Sequence, residues 1–260
     1  MLNVNSNLYR LHPDWAMDIP GCAHSEGRNQ RILDLCNPEV SEYIIDSMTK
    51  VFSSANIAYV KWDMNRIFSD YYSKYLKAQG RPQGETAHRY VMALGRIMRT
   101  LTERFPHILF EGCAAGGNRF DLGILCYFPQ IWASDNTDAV SRAYIQEGLS
   151  YGYPMSTVSA HVSVCPNHQT LRVTPLSTRF NVAAFGICGY ECNLVDMSRA
   201  ERSEIKTQID IYKKWRHAMQ FGSFYRQRTG NIHQWTVVDE EAGRAIGLFV
   251  NVCFRKVIIP

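Results

Sequence analysis

Three polar side chains alternate where an apolar run ends. In Tyr59-Val-Lys-Trp-Asp-Met-Asn-Arg66, the residues Lys61, Asp63 and Asn65 stand two apart. Residues two apart in an extended segment point to one side, so a cation, a carboxylate and an amide converge on one small volume. Such a group is either a satisfied polar cluster or a working site. A second carboxylate, Asp135, follows another apolar run in Gln130-Ile-Trp-Ala-Ser-Asp135 and lies in the cap-rich stretch Ser134-Asp-Asn-Thr-Asp138. Two carboxylates facing across one cleft suit glycoside hydrolysis, where one attacks or guides water and the other shuttles a proton. Taken singly, each also has a plain structural reading, as a helix cap or as a partner for a nearby lysine.

The elements that must position these groups alternate along the chain. Asn37-Pro38-Glu39 is a helix start, with a capping amide, a proline at the first helical position and an early acid. Val40, Tyr43, Ile44, Met48, Val51 and Phe52 follow at helical spacing. The strand-like Asn56–Asp63 leads through a Gly/Pro/Gln loop to a second helix. Its stripe, Tyr90, Val91, Leu94, Ile97, Met98, Leu101 and Phe105, is expected in the core, and Pro106 stops it. Further strands are expected at His107–Ala114, Gln130–Asp135, Ser156–Ser163 and Phe185–Glu191, each closing on small or polar residues. Asp138 caps a helix over Ala139–Leu149, and Ser198-Arg-Ala-Glu201 is a capping box opening a long one. Strand–helix alternation with polar residues at strand ends predicts an α/β fold, a (β/α)8 TIM barrel with its site at the C-terminal mouth. A doubly wound sheet fits less well, because Gly116-Gly117 lacks the spacing of a phosphate-binding turn.

The pattern changes near residue 222. Ile232–Asp239, a turn at Glu240–Gly243 and Arg244–Phe254 read as a hairpin with no helix after it. The expected division is therefore 1–222, a partial barrel, and 223–260, the start of a C-terminal β-sandwich domain. About five barrel strands are counted where a complete barrel has eight, so the barrel is expected to be incomplete at its N-terminal end. An open barrel exposes strand edges, which favours aggregation of the isolated chain.

Composition narrows the class. A formal charge of +4 over 260 residues, with no basic run, argues against a nucleic-acid partner. The eight cysteines contain no C-x-x-C pair, and the eight histidines never fall at short ligand spacing, so no metal site is expected. His161 and His168 read as loop or packing residues, Asp121 as a local hydrogen-bonding residue, and Glu111 and Glu191 as strand-end acids that could face the cleft. No stretch has the length and apolarity of a membrane span, and no basic-then-apolar leader opens the chain, so a cytoplasmic protein with reduced thiols is expected.

Four segments carry a more specific signal: Tyr59–Arg66, Glu111–Leu125, Ile131–Arg142 and His161–Arg172, with Ser6–Trp15 and Glu26–Leu35 upstream. In this order they closely resemble glycoside hydrolase family 36, the α-galactosidases. The resemblance implies that Asp63, in Lys-Trp-Asp, is the nucleophile and that Asp135, in Ser-Asp-Asn-Thr-Asp, is the general acid/base. It also implies that Arg28, Lys61 and Asn65 contact the sugar and that Cys113 and Gly116 line it near its 2-hydroxyl. The implied activity is a retaining hydrolysis of terminal α-D-galactosyl residues of melibiose- or raffinose-type oligosaccharides, without cofactor. Full-length relatives are expected to be homo-oligomers. An α-N-acetylgalactosaminidase or a galactosyl transferase is the nearest rival within the family, and a non-catalytic remnant with weak sugar binding is the alternative outside it. Family members carry a large N-terminal β-domain, early barrel strands and a pair of adjacent galactose-gripping aspartates. The chain is expected to begin after the third barrel strand and to lack them.

Overall fold

The computed structural model describes residues 1–66 and 68–253. The chain divides into two compact units, Met1–Pro129 and Gln130–Pro260.

In the first unit, β1 (Leu2–Asn3) pairs antiparallel with β2 (Gln30–Arg31), and α1 (Asn7–Leu11) lies between them in sequence. Helix α2 (Pro38–Ser53) starts where the sequence places it: the Asn37 side chain accepts a hydrogen bond from the Glu39 amide, and Pro38 takes the first turn. Strand β3 (Tyr59–Asp63) follows, then α3 (Lys74–Ala78), α4 (Thr86–Arg104), β4 (Leu109–Cys113) and α5 (Leu122–Leu125). β3 and β4 run parallel in a register that sets Lys61 opposite Glu111 and Asp63 opposite Cys113. Val40, Ile45 and Phe52 of α2 and Tyr90, Ile97, Met98 and Leu101 of α4 are buried, and Phe52 meets Phe105 and Phe110 edge-on.

The helical stripes are not wholly core. Val91 is 65% exposed, and Tyr43 and Val51 also lie outside the buried set. In α2 the buried face includes Ser41 and Ile45, which the expected stripe left out, because helical spacing alone does not fix where a face is centred.

The second unit continues the β/α alternation: β5 (Gln130–Trp132), α6 (Ala139–Leu149), β6 (Val158–Ser163), α7 (Leu176–Ala184), β7 (Ile187–Glu191) and α8 (Arg199–Phe221). β5 pairs parallel with β6, and β6 with β7. The capping box at α8 is made in both directions, since Ser198 Oγ accepts from the Glu201 amide and the Glu201 carboxylate accepts from the Ser198 amide. Parallel strands each followed by a helix, two in the first unit and three in the second, form the β/α repeat expected of an incomplete barrel.

After α8 the chain makes β8 (Ser223–Thr229), β9 (Ile232–Asp239) and β10 (Arg244–Asn251), an antiparallel sheet in the order β10-β9-β8. The expected hairpin is present with an additional strand in front of it. β8 carries no buried residue, so its sequence lacks the apolar alternation that marks a half-buried strand. β10 ends at Asn251, and the last residue of the expected strand, Phe254, lies outside the described residues.

Candidate active site

The surroundings of Asp63 are built on the ends of β3 and β4. Asp63 closes β3 and is exposed, and its Oδ2 accepts a hydrogen bond from Asn65 Nδ2 at 2.6 Å. Asn65 lies past the strand rather than on it. Its other amide atom, Oδ1, accepts from the Ala115 backbone N–H at 2.8 Å, so one side chain joins the carboxylate to the loop after β4. The Met64 amide donates to the Cys113 carbonyl at 3.1 Å, extending the parallel pairing one step beyond the strands. Cys113 is buried directly opposite Asp63. Burial pushes its thiol up to about 11; the Gly116 backbone N–H opposes this, while the hydrogen bond and charge of Asp63 reinforce it. Arg119 also donates to the Cys113 carbonyl.

The loop after β4 turns through two consecutive left-handed residues, Ala115 at φ 47° and Gly116 at φ 80°. That backbone region costs an L-residue free energy and glycine almost none, so the family-like Cys-x-x-Gly spacing has a backbone reason at Gly116.

Lys61 forms an ion pair with Glu111, its cross-strand neighbour, at 3.5 Å. Parallel pairing supplies Lys61 with this carboxylate at the same level of the sheet. Glu111 also accepts a hydrogen bond from Tyr59. It stands in the middle of β4, not at its end, and is 1% exposed. The sequence could not supply this pairing, because Lys61 and Glu111 are 50 positions apart and only the strand register brings them together.

Arg28 sits on a tight turn in which Arg28 and Asn29 both have φ 56° and the Gln30 amide donates to the Gly27 carbonyl at 3.0 Å. Two consecutive non-glycine residues in the left-handed region are strained, and such strain gathers at functional sites. The Arg28 side chain is exposed.

In the second unit, β5 ends at Trp132, so Asp135 lies three residues past the strand instead of closing it. It is exposed, and its Oδ1 accepts from the Trp132 indole N–H at 2.9 Å. Trp132 in turn packs against the His161 ring at 4.4 Å and under the Arg142 guanidinium at 5.0 Å. His161 Nδ1 meets the Glu191 carboxylate at 3.2 Å. The Asp135 loop is braced by the segment after β6: Thr137 donates to Ser163 at 2.8 Å, Asn167 donates to Thr137 at 3.1 Å, and Arg172 pairs with Asp138. Two of the motifs noted in sequence therefore meet, with Asp138 spent on capping α6 and binding Arg172. Asp121 likewise caps α5 through the Ile124 amide.

Among the described residues, no three His, Cys, Asp or Glu side chains gather as metal ligands, and no helix is long and apolar enough to cross a membrane.

The melibiase family model matches residues 1–222. The α-galactosidase AgaA of Geobacillus stearothermophilus is 48% identical over 255 residues, which is 97% of this chain and 35% of that protein. The crystal structure of that glycoside hydrolase family 36 enzyme matches with a TM-score of 0.93 at 46% identity, over 99% of this chain and 36% of the other. A doubly substituted AgaA in complex with raffinose matches with a TM-score of 0.91 at 47% identity, over 95% and 34%. The chain thus spans about a third of the length of these relatives. With the family model covering most of its residues and the Lys-Trp-Asp and Ser-Asp-Asn-Thr-Asp motifs in place, the chain belongs to the melibiase family.

Proposed function

We propose that this chain carries the catalytic residues of a retaining α-galactosidase acting on raffinose- and melibiose-type oligosaccharides. The observation that carries the reading is Asp63: an exposed carboxylate at the C-terminal end of a parallel strand, with one oxygen held by Asn65 and a small buried thiol opposite. With Oδ2 engaged by the amide, Oδ1 is the oxygen offered to an anomeric carbon. Asp63 attacks that carbon while Asp135 gives its proton to the departing glycosidic oxygen. Asp135 then removes a proton from water, which displaces Asp63 and releases α-galactose. Arg28, Lys61 and Asn65 are assigned to the sugar hydroxyls, and Cys113 and Gly116 to the wall near the 2-hydroxyl. Residues 1–222 belong to the barrel and 223–260 to an attached β domain.

The raffinose complex of a relative supports the substrate class. The test is a pair of substitutions assayed on aryl α-galactosides and on melibiose. Asp63→Ala is expected to abolish turnover and to recover part of it with azide as an external nucleophile. Asp135→Ala is expected to lose roughly a hundred- to ten-thousandfold on melibiose and far less on activated aryl substrates, which need no proton to leave. Equal sensitivity of both variants to leaving-group quality removes the assignment.

A further inference from the structure

Arg66 ends the Asp63 motif, and the roles given so far leave it without a task. Its side chain runs away from Asp63 to the turn that carries Arg28. Arg66 Nη2 donates to the Ser25 carbonyl at 2.6 Å. Its side chain lies against Gly27, where a Cβ would stand 3.1 Å from Nη1 and 3.3 Å from Cδ. A Cβ at Gly27 would require Arg66 to give by a few tenths of an ångström, so the two are closely packed. The same loop is held a second time, since the Ser25 amide donates to the buried Asp70 carboxylate at 2.8 Å. Asp70 lies only seven residues after Asp63. The segment following the nucleophile thus grips the loop 25–27 at two points, immediately before the strained pair Arg28 and Asn29. On the far side, Glu26 pairs with Arg31 at 2.6 Å and closes the turn.

We propose that Arg66 is a positioning residue: it holds the 25–30 turn in register with the Asp63 end of β3 and so sets where the Arg28 guanidinium meets a hexose hydroxyl. The inference rests on the reading of this site as a galactoside site. A left-handed turn of two non-glycine residues relaxes unless its surroundings fix it, and the Arg66 hydrogen bond and packing supply that constraint. A lysine reaches the Ser25 carbonyl but has no guanidinium to pack against Gly27, so it replaces only part of the hold.

Hydrogen exchange and kinetics on Arg66→Met and Arg66→Lys decide it. Arg66→Met is expected to speed exchange of the Ser25 and Gln30 amides by roughly tenfold while the α2 amides, as a control for folding, stay unchanged. It is also expected to raise KM for an aryl α-galactoside by about ten- to a hundredfold, more than it lowers kcat. Arg66→Lys is expected to fall between Arg66→Met and the parent on both measures. Unchanged exchange at Ser25 and Gln30 overturns the proposal whatever the activity. Faster exchange with KM unmoved overturns it too, because the tie is then structural only. A parent chain that cleaves no galactoside counts against the galactosidase reading, and the exchange measurement still tells whether Arg66 holds the turn.

Discussion

At the scale of single residues, the surroundings of Asp63 are set by hydrogen bonding and burial. One Asn65 amide group fixes a carboxylate oxygen of Asp63 with its nitrogen and the loop after β4 with its oxygen. Cys113 then stands at the closest cross-strand position, with its thiol pushed up to about 11 by burial. The thiolate is the reactive form of cysteine, so this thiol stays protonated and inert at neutral pH. Cys22, Cys126 and Cys253 are exposed. Iodoacetamide at pH 8 followed by mass spectrometry is expected to label those three while Cys113 stays unmodified. Rapid labelling of Cys113 under native conditions contradicts the buried, protonated state. The sign for folding follows: the unfolded thiol ionises near its ordinary value while the folded one does not, so the contribution of Cys113 to stability declines as the pH rises past about 9.

At the scale of elements, three of the longer helices are started by a local device, whereas α4 and α7 begin with no side-chain cap hydrogen bond. Asn37 and Pro38 fix the first turn of α2, Asp138 that of α6, and the Ser198–Glu201 box that of α8. Helix α2 delivers the chain into β3 and so sets the level at which Asp63 emerges. Asn37→Ala leaves an N-terminal amide of α2 without its acceptor and is expected to cost about 1 kcal/mol, read as a lower urea midpoint at unchanged slope. No change in the midpoint places the start of α2 under tertiary control. These devices were legible because each is a matter of residues two or three apart. Strand ends were less legible: Asp135 looked like the last residue of its strand, yet β5 stops at Trp132. The indole N–H returning to the Asp135 carboxylate is a side-chain contact that no periodicity announces.

At the scale of the whole molecule, the antiparallel strands share a core with the β/α part of their unit. Trp235, Val237, Leu248 and Val250 pack with Ala143 of α6 and with Val182 and Phe185, in and just after α7. Trp235 is fully buried, with its ring edge-on to Phe185 and its indole N–H donated to Glu147 at 3.3 Å. His233 meets the same carboxylate at 2.6 Å. Trp235→Ala removes the centre of this cluster and an indole donor together and is expected to cost about 3–5 kcal/mol by thermal or denaturant unfolding. A loss near zero, with an early independent transition of the β strands, shows the sheet to be energetically separate from the helices it touches.

The sequence by itself determined the parallel β/α order, the starts of the main helices and, through four long motifs, the family. These properties rest on neighbours in the chain, on hydrophobic period and on motifs whose residues are contiguous. The tertiary structure alone decided that Lys61 pairs with Glu111 and that Asn65 spans two strand ends. It also decided that Arg66 reaches back to Ser25 and that the exposed segment Ser223–Thr229 is a strand. Each of these depends on register between segments that lie far apart in sequence or on an edge completed by a partner strand. Such a contact has no local signature, because the free energy that selects it comes from the partner and not from the residue.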